Sequence, residues 1–158
     1  MNADVTPMNA EMERERPIEL SKRKALETPM NAEKDRARLD VLSRKVIGAA
    51  QRVSLALGVG FLEKVYENSL VLELQESGVE VAQQKPVHVH YGGRVVGDYV
   101  PDLLVSDEML VEIKATPALE DIHRLQCINY LRSTGLRVCL LINFGRPRLE
   151  VRRIVWRY

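Results

Sequence analysis

The order of hydrophobic periods along the chain predicts an α/β sandwich built on a mixed β-sheet. Three observations carry this. Apolar residues recur at spacings of three and four through two segments up to Gly78. They then alternate, or run continuously with β-branched residues, through the stretch that ends at Ala115. Helical spacing returns once, from Ala118 to Gly135, before two final apolar runs. With 158 residues, 46% of them hydrophobic and 28% charged, the chain is long enough for one domain with its own core and too short to suggest two.

Residues 1–38 stand apart. Glu, Arg, Lys, Met and Ala dominate, and TPMNAE occurs at Thr6–Glu11 and again at Thr28–Glu33. So little apolar surface predicts a disordered leader or a frayed helix, interrupted by Pro7, Pro17 and Pro29. Residues 39–158 form the expected domain. Its first helix carries Leu42, Val46, Ala49, Ala50, Val53 and Leu57 on one stripe and stops at Gly58 and Gly60. The next, from FLEKVYENS, places Leu62, Val65, Tyr66, Ser69 and Leu72 along one side and ends at Gly78. Strands follow in VEVAQQKPVHVHY, in RVVGDYVPDLLV after a YGG turn, and in MLVEIKA. ALEDIHRLQCINYLRSTG is the third helix, RVCLLINF reads as a fully buried central strand, and LEVRRIVWRY as the last strand.

The bulk properties exclude several function classes. A net charge of +1 gives no global field for nucleic acid, membrane or acidic ligands, so any basic surface must be local. Cys127 and Cys139 sit in apolar segments far from CxxC spacing, which predicts reduced core thiols rather than a disulfide or a zinc site. No apolar run approaches bilayer length, so the expected compartment is the cytoplasm, with no membrane partner. His88 and His90 alternate on a strand but lack a third metal ligand in reach.

The stretch VPDLLVSDEMLVEIKAT, Val100 to Thr116, keeps two carboxylates and an ammonium inside apolar strands. If Ser106, Asp107 and Glu108 form the turn, Val105 faces Met109 and Asp102 lies opposite Glu112. Opposed residues share a face, with Cβ atoms about 5 Å apart. Lys114 falls on the same face, while Val111 and Ile113 point into packing. A two-residue turn would instead set Asp102 against Ile113. Two opposed, half-desolvated carboxylates repel, and a hard divalent cation between them, Mg²⁺ or Mn²⁺, removes that cost. Lys114 could then orient a water or stabilise developing phosphate charge. The plain alternative is an ordinary ion pair on the solvated face of a sheet.

Pro101, Asp102, and then Glu112, Ile113 and Lys114 after a hairpin resemble the PD-(D/E)xK nuclease signature. GFLEKVY, with Gly60, Glu63 and Tyr66, resembles the motif of the GxxExxY family of that superfamily, and QCINY, with Gln126 and Tyr130, the QxxxY motif of its RecB-like branch. The resemblance implies a restriction-endonuclease-like α/β sandwich over Leu39–Tyr158. It further implies Asp102, Glu112, Glu63 and the Ile113 carbonyl as metal ligands and Lys114 as the catalytic lysine. Gln126 and Tyr130 would position metal, water or phosphate. From the residues alone, Glu63 equally suits the positive end of its helix, Tyr66 suits packing with a satisfied hydroxyl, and His123 suits a hydrogen-bonded place at the rim.

Arg146, Arg148, Arg152, Arg153 and Arg157 cluster late in the chain, where they could touch a phosphate backbone without reading sequence. Charged edge strands also arise simply to resist aggregation. The expected function is metal-dependent hydrolysis of nucleic acid, DNA in preference to RNA, with a homodimer left open. The rival is a non-catalytic nucleic-acid or protein-binding module on the same fold.

Overall fold

The computed structural model describes residues 28–157. Its first helix, α1 (Pro29–Leu57), begins at Pro29 rather than at Leu39. The Thr28 side chain accepts the Asn31 N–H, and Pro29 occupies the first turn, where a missing N–H costs nothing. Pro29 therefore starts a helix instead of interrupting one, and the boundary expected at residue 38 falls inside α1. Pro7, Pro17 and the first TPMNAE copy lie outside the described residues. The expected stripe holds: Leu42, Val46, Ala49, Ala50 and Val53 are buried, joined by Leu39.

In α2 (Glu63–Glu76) the buried residues are Tyr66, Glu67, Leu70, Val71 and Leu74. This corrects the expected stripe, since Leu62 is 80% and Leu72 61% exposed. The true stripe contains a carboxylate, Glu67, and a charge at a core-facing position makes that face read as surface.

Two sheets follow. Strands β1 (Val81–Gln83), β4 (Leu103–Val105), β5 (Met109–Lys114), β6 (Val138–Asn143) and β7 (Glu150–Val155) form a five-stranded sheet in the order β1-β4-β5-β6-β7. Only the β5–β6 pair within it is parallel, with α3 (Asp121–Thr134) as the crossover that returns the chain in the same direction. Strands β2 (Val87–Tyr91) and β3 (Arg94–Tyr99) form a separate two-stranded ribbon, joined through Gly92 and Gly93, both at positive φ as a tight hairpin turn needs. The continuous strands expected across VEVAQQKPVHVHY and RVVGDYVPDLLV are thus each divided between ribbon and main sheet.

Alternation sorts the main sheet into two cores. Leu103, Val105, Met109, Val111, Ile113, Leu140 and Ile142 pack under α1 and α2, whereas Leu104, Leu110, Cys139, Leu141 and Ile154 pack under α3 with Cys127, Tyr130 and Leu131. Both cysteines are free and buried. Burial pushes the Cys139 thiol well above its ordinary range, reinforced by Cys127 beside it, so neither its environment nor its access favours reactivity. Among the described residues no helix is long and apolar enough to cross a membrane.

The end of β5 is fixed by one amide. Asn143, fully buried, accepts the N–H groups of Thr116 and Gly145 at 3.0 and 2.9 Å and donates to the Thr116 carbonyl at 2.9 Å. This draws the backbones together so closely that a Cβ on Gly145 would lie 2.3 Å from Thr116 N and O. Gly145→Ala is therefore expected to cost about 3 kcal/mol or more in chemical denaturation, because neither backbone can yield without breaking the Asn143 bonds. An unchanged denaturation midpoint would contradict this close approach.

Candidate active site

The hairpin register decides whether the site exists. Val105 pairs with Met109 and Leu103 with Val111, so the turn is Ser106, Asp107 and Glu108, and the register carried one step further sets Asp102 against Glu112. Ser106 and Asp107 both take positive φ, and the Glu108 N–H closes the turn on the Val105 carbonyl at 3.0 Å.

Asp102 sits just before β4 begins, and its carboxylate takes the place of a strand carbonyl: Oδ2 accepts the Ile113 N–H at 2.7 Å. Its Oδ1 accepts from Gln84 Nε2 at 3.2 Å, and its carbonyl accepts the Gln84 N–H at 2.9 Å. Glu112 shares the face of Leu110 and points toward α3, with 4% of its side chain exposed. Its Oε1 accepts from Lys114 Nζ at 3.3 Å. Its Oε2 is buried and, among the described residues, has no hydrogen-bond partner.

The electrostatics follow from this packing. Burial first, and the Asp102 charge second, raise the Glu112 carboxyl from 4.5 to about 7, against the lowering pull of Lys114. Asp102 is also raised, by burial above all, although the Ile113 N–H bond works the other way. An isolated surface ion pair would show neither effect. A buried carboxylate oxygen without a donor, beside a second carboxylate, is the arrangement a bound cation relieves.

On α3, Gln126 Nε2 donates to the Tyr130 hydroxyl at 2.8 Å. Burial and the Glu112 charge push that hydroxyl up to about 12, so Tyr130 stays protonated and available as a donor. His123 lies three residues before Gln126, in the first turn of the same helix. Its Nδ1 accepts the Glu120 N–H at 3.0 Å in a capping box that starts α3.

Glu63 lies at the first turn of α2, exposed, with Oε1 accepting the Ala115 N–H at 3.3 Å. It is not gathered with Asp102 and Glu112: among the described residues no three His, Cys, Asp or Glu side chains group as a metal site. Tyr66 is fully buried, stacked on Phe144 at 4.7 Å, and its hydroxyl donates to the Gly58 carbonyl at 2.7 Å while accepting the Phe61 N–H at 3.2 Å. It pins the glycine loop that launches α2, a packing role.

Two polar residues of the site escape sequence reasoning. Glu67, 4% exposed, takes Lys64, Gln83 and Gln84 on Oε1 at 2.9, 2.9 and 3.0 Å. Gln84 thereby bridges Glu67 to Asp102, and the Glu67 charge adds to the upward pressure on Asp102. The available signal was Glu67 one turn after Glu63, with the Gln83–Gln84 pair interrupting the apolar alternation of a predicted strand.

The late arginines divide. The register aligns Glu112, Leu141 and Arg152 in one row on one face, but Arg152 is paired with Glu150 at 3.1 Å. Arg153 bonds Asp40 on α1 at 2.8 Å, and Arg146 and Arg148 are exposed in the loop before β7.

A mixed sheet flanked by helices, with the acidic pair across a hairpin, is the restriction-endonuclease-like fold. The family model of the PD-(D/E)XK nuclease superfamily matches residues 40–154, and the chain belongs to that superfamily. Similar solved structures include the crystal structure of SSO0001, 16% identical with a TM-score of 0.49, covering 58% of this chain and 48% of that one. Another is an alkaline exonuclease (LHK-Exo) from Laribacter hongkongensis, 17% identical with a TM-score of 0.41, covering 67% of this chain and 75% of that one. The chain thus spans about half the length of the first. No curated protein matches the sequence.

Proposed function

We propose that the protein is a metal-dependent nuclease of the GxxExxY type that hydrolyses phosphodiester bonds, DNA being the expected substrate. The observation that carries this is the buried, partnerless Oε2 of Glu112 facing Asp102, with Lys114 one pleat along. Asp102 and Glu112 would hold Mg²⁺ or Mn²⁺, with the Ile113 carbonyl and, after leaving the Ala115 N–H, Glu63 as further ligands. Two carboxylates completed by substrate and water suit Mg²⁺, which rarely takes an all-protein cage. When bound, such an ion supplies Lewis acidity at the phosphate and a more acidic water.

The chain's own residues do the rest. Lys114, held by Glu112, presents a positive charge to the phosphate oxygens and can orient the attacking water. Tyr130, kept protonated, donates to a non-bridging oxygen, while Gln126 fixes its hydroxyl. Gln84 and Ile113 hold Asp102 in place through both oxygens, so the carboxylate is positioned before any ligand arrives.

The test is cleavage of linear, circular and single-stranded DNA, and of RNA, with Mg²⁺, Mn²⁺ or EDTA. Cleavage is expected only with metal, and Lys114→Ala is expected to lower its rate by roughly 10²- to 10⁴-fold with the circular-dichroism spectrum unchanged. Folded protein that binds DNA but cuts no substrate with either metal would instead favour the binding-module reading.

A further inference from the structure

Beside Tyr130 the ribbon and α3 do not close on one another. They leave a cleft of about 410 Å³ lined by Val89, His90, Tyr99, Asn129, Arg132 and Ser133. It adjoins the acidic pair through one aromatic contact: the Tyr99 and Tyr130 rings meet edge to face at 5.5 Å and 71°, and Tyr130 feels the charge of both Glu112 and Asp102. A register shift between Val89 and His90 bends the ribbon at this point.

The chemistry of the lining differs from that of the site it adjoins. None of the six residues is acidic. Tyr99 is 42% exposed, so part of its ring is free to stack. Arg132 lies over the indole of Trp156 at 5.6 Å, and a guanidinium steadied by an aromatic face keeps its charge available to an anion. Asn129, Ser133 and His90 add short-range polar groups. A volume at the lower end of ligand pockets admits one nucleotide unit, not a duplex.

We propose that this cleft receives an unpaired nucleotide next to the scissile phosphate, its base stacked on Tyr99 and its phosphate held by Arg132. The inference rests on the nuclease reading of the acidic pair, and it specifies the substrate further: the strand enters single-stranded. Base–aromatic stacking tolerates any sequence, because every base has a π-face. The site would therefore select for strandedness and not for sequence.

Binding is measured by fluorescence anisotropy with a labelled 12-nucleotide oligothymidylate, an oligouridylate and a blunt duplex. The protein carries Lys114→Ala in Mg²⁺ so that the strand stays intact, with a repeat in EDTA. Tyr99→Leu, which keeps bulk and removes the ring, is expected to weaken single-strand binding roughly 5- to 150-fold, and Tyr99→Phe to leave it unchanged. Arg132→Gln should weaken it and flatten its salt dependence by about one phosphate contact. Duplex binding should barely move in any variant. Single-strand binding unaltered by both Tyr99→Leu and Arg132→Gln, or equal losses for the duplex, would overturn the cleft. So would absence of single-strand binding in both buffers. Tyr99-dependent binding in a wild-type protein that cleaves nothing would support the cleft while sinking the catalytic reading.

Discussion

Glu112→Gln is expected to abolish metal-dependent cleavage and, in the same protein, to raise the thermal midpoint of the metal-free form at pH 8. The two effects have one cause. Above pH 7 the folded chain must hold an ionised Glu112 whose Oε2 has no donor, beside a second carboxylate that raises its pKa further. Titration near 7 instead of 4.5 corresponds to about 3 kcal/mol of stability given up at alkaline pH. Glutamine keeps the shape and removes the charge, and with part of the gain offset by burying its own amide a net of about 2 kcal/mol remains. For a domain of this size that raises the midpoint by roughly 5–10 °C. Activity goes the other way, because a neutral amide is a poor partner for a hard cation; a loss of about 10³-fold or more is expected. Calorimetry and a cleavage assay on one preparation check both. A variant less stable than wild type at pH 8 would mean that Glu112 is not the strained group it is taken to be.

The hairpin was legible because its determinants are local. Period-two alternation and a three-residue turn fix which side chain meets which, so Asp102 opposite Glu112 follows from counting once Val105 is set against Met109. Chain-distant relations were not legible in the same way. Glu67 is separated from Gln83 and Gln84 by the rest of α2, a loop and the start of β1, and a buried carboxylate has the same letter as a solvated one; only the bonds at 2.9 and 3.0 Å reveal its place. The same blindness rotated the expected stripe of α2 onto Leu62 and Leu72. The ribbon was misplaced for a related reason. VHVHY and RVVGDY alternate as any strand does, and alternation does not say which sheet a strand joins. Pro101, which cannot continue a ladder, marks where the chain leaves the ribbon for β4.

Metal affinity is expected to fall about tenfold per pH unit below about pH 7, and to level off above it. Glu112 must be ionised to act as a ligand, and its folded pKa near 7 makes a proton the direct competitor of the cation. The sign for stability follows from the same shift. Because the folded pKa lies above the unfolded one, the stability contributed by protonated Glu112 is fully present below about pH 4.5. It is lost as pH rises through about 7. Asp102, also raised, acts in the same direction. Metal-free wild type should therefore lose about 3 kcal/mol relative to Glu112→Gln between pH 5 and pH 8, and saturating Mg²⁺ should restore it, since binding to the folded form alone stabilises by mass action. Isothermal titration of Mg²⁺ at pH 6.5 in two buffers of different ionisation enthalpy reads the proton directly: about one proton should be released for each metal bound, and few at pH 8.5. Affinity independent of pH, with no proton released, would show that the cation is held by groups already ionised. That result would remove Glu112 from the ligand set.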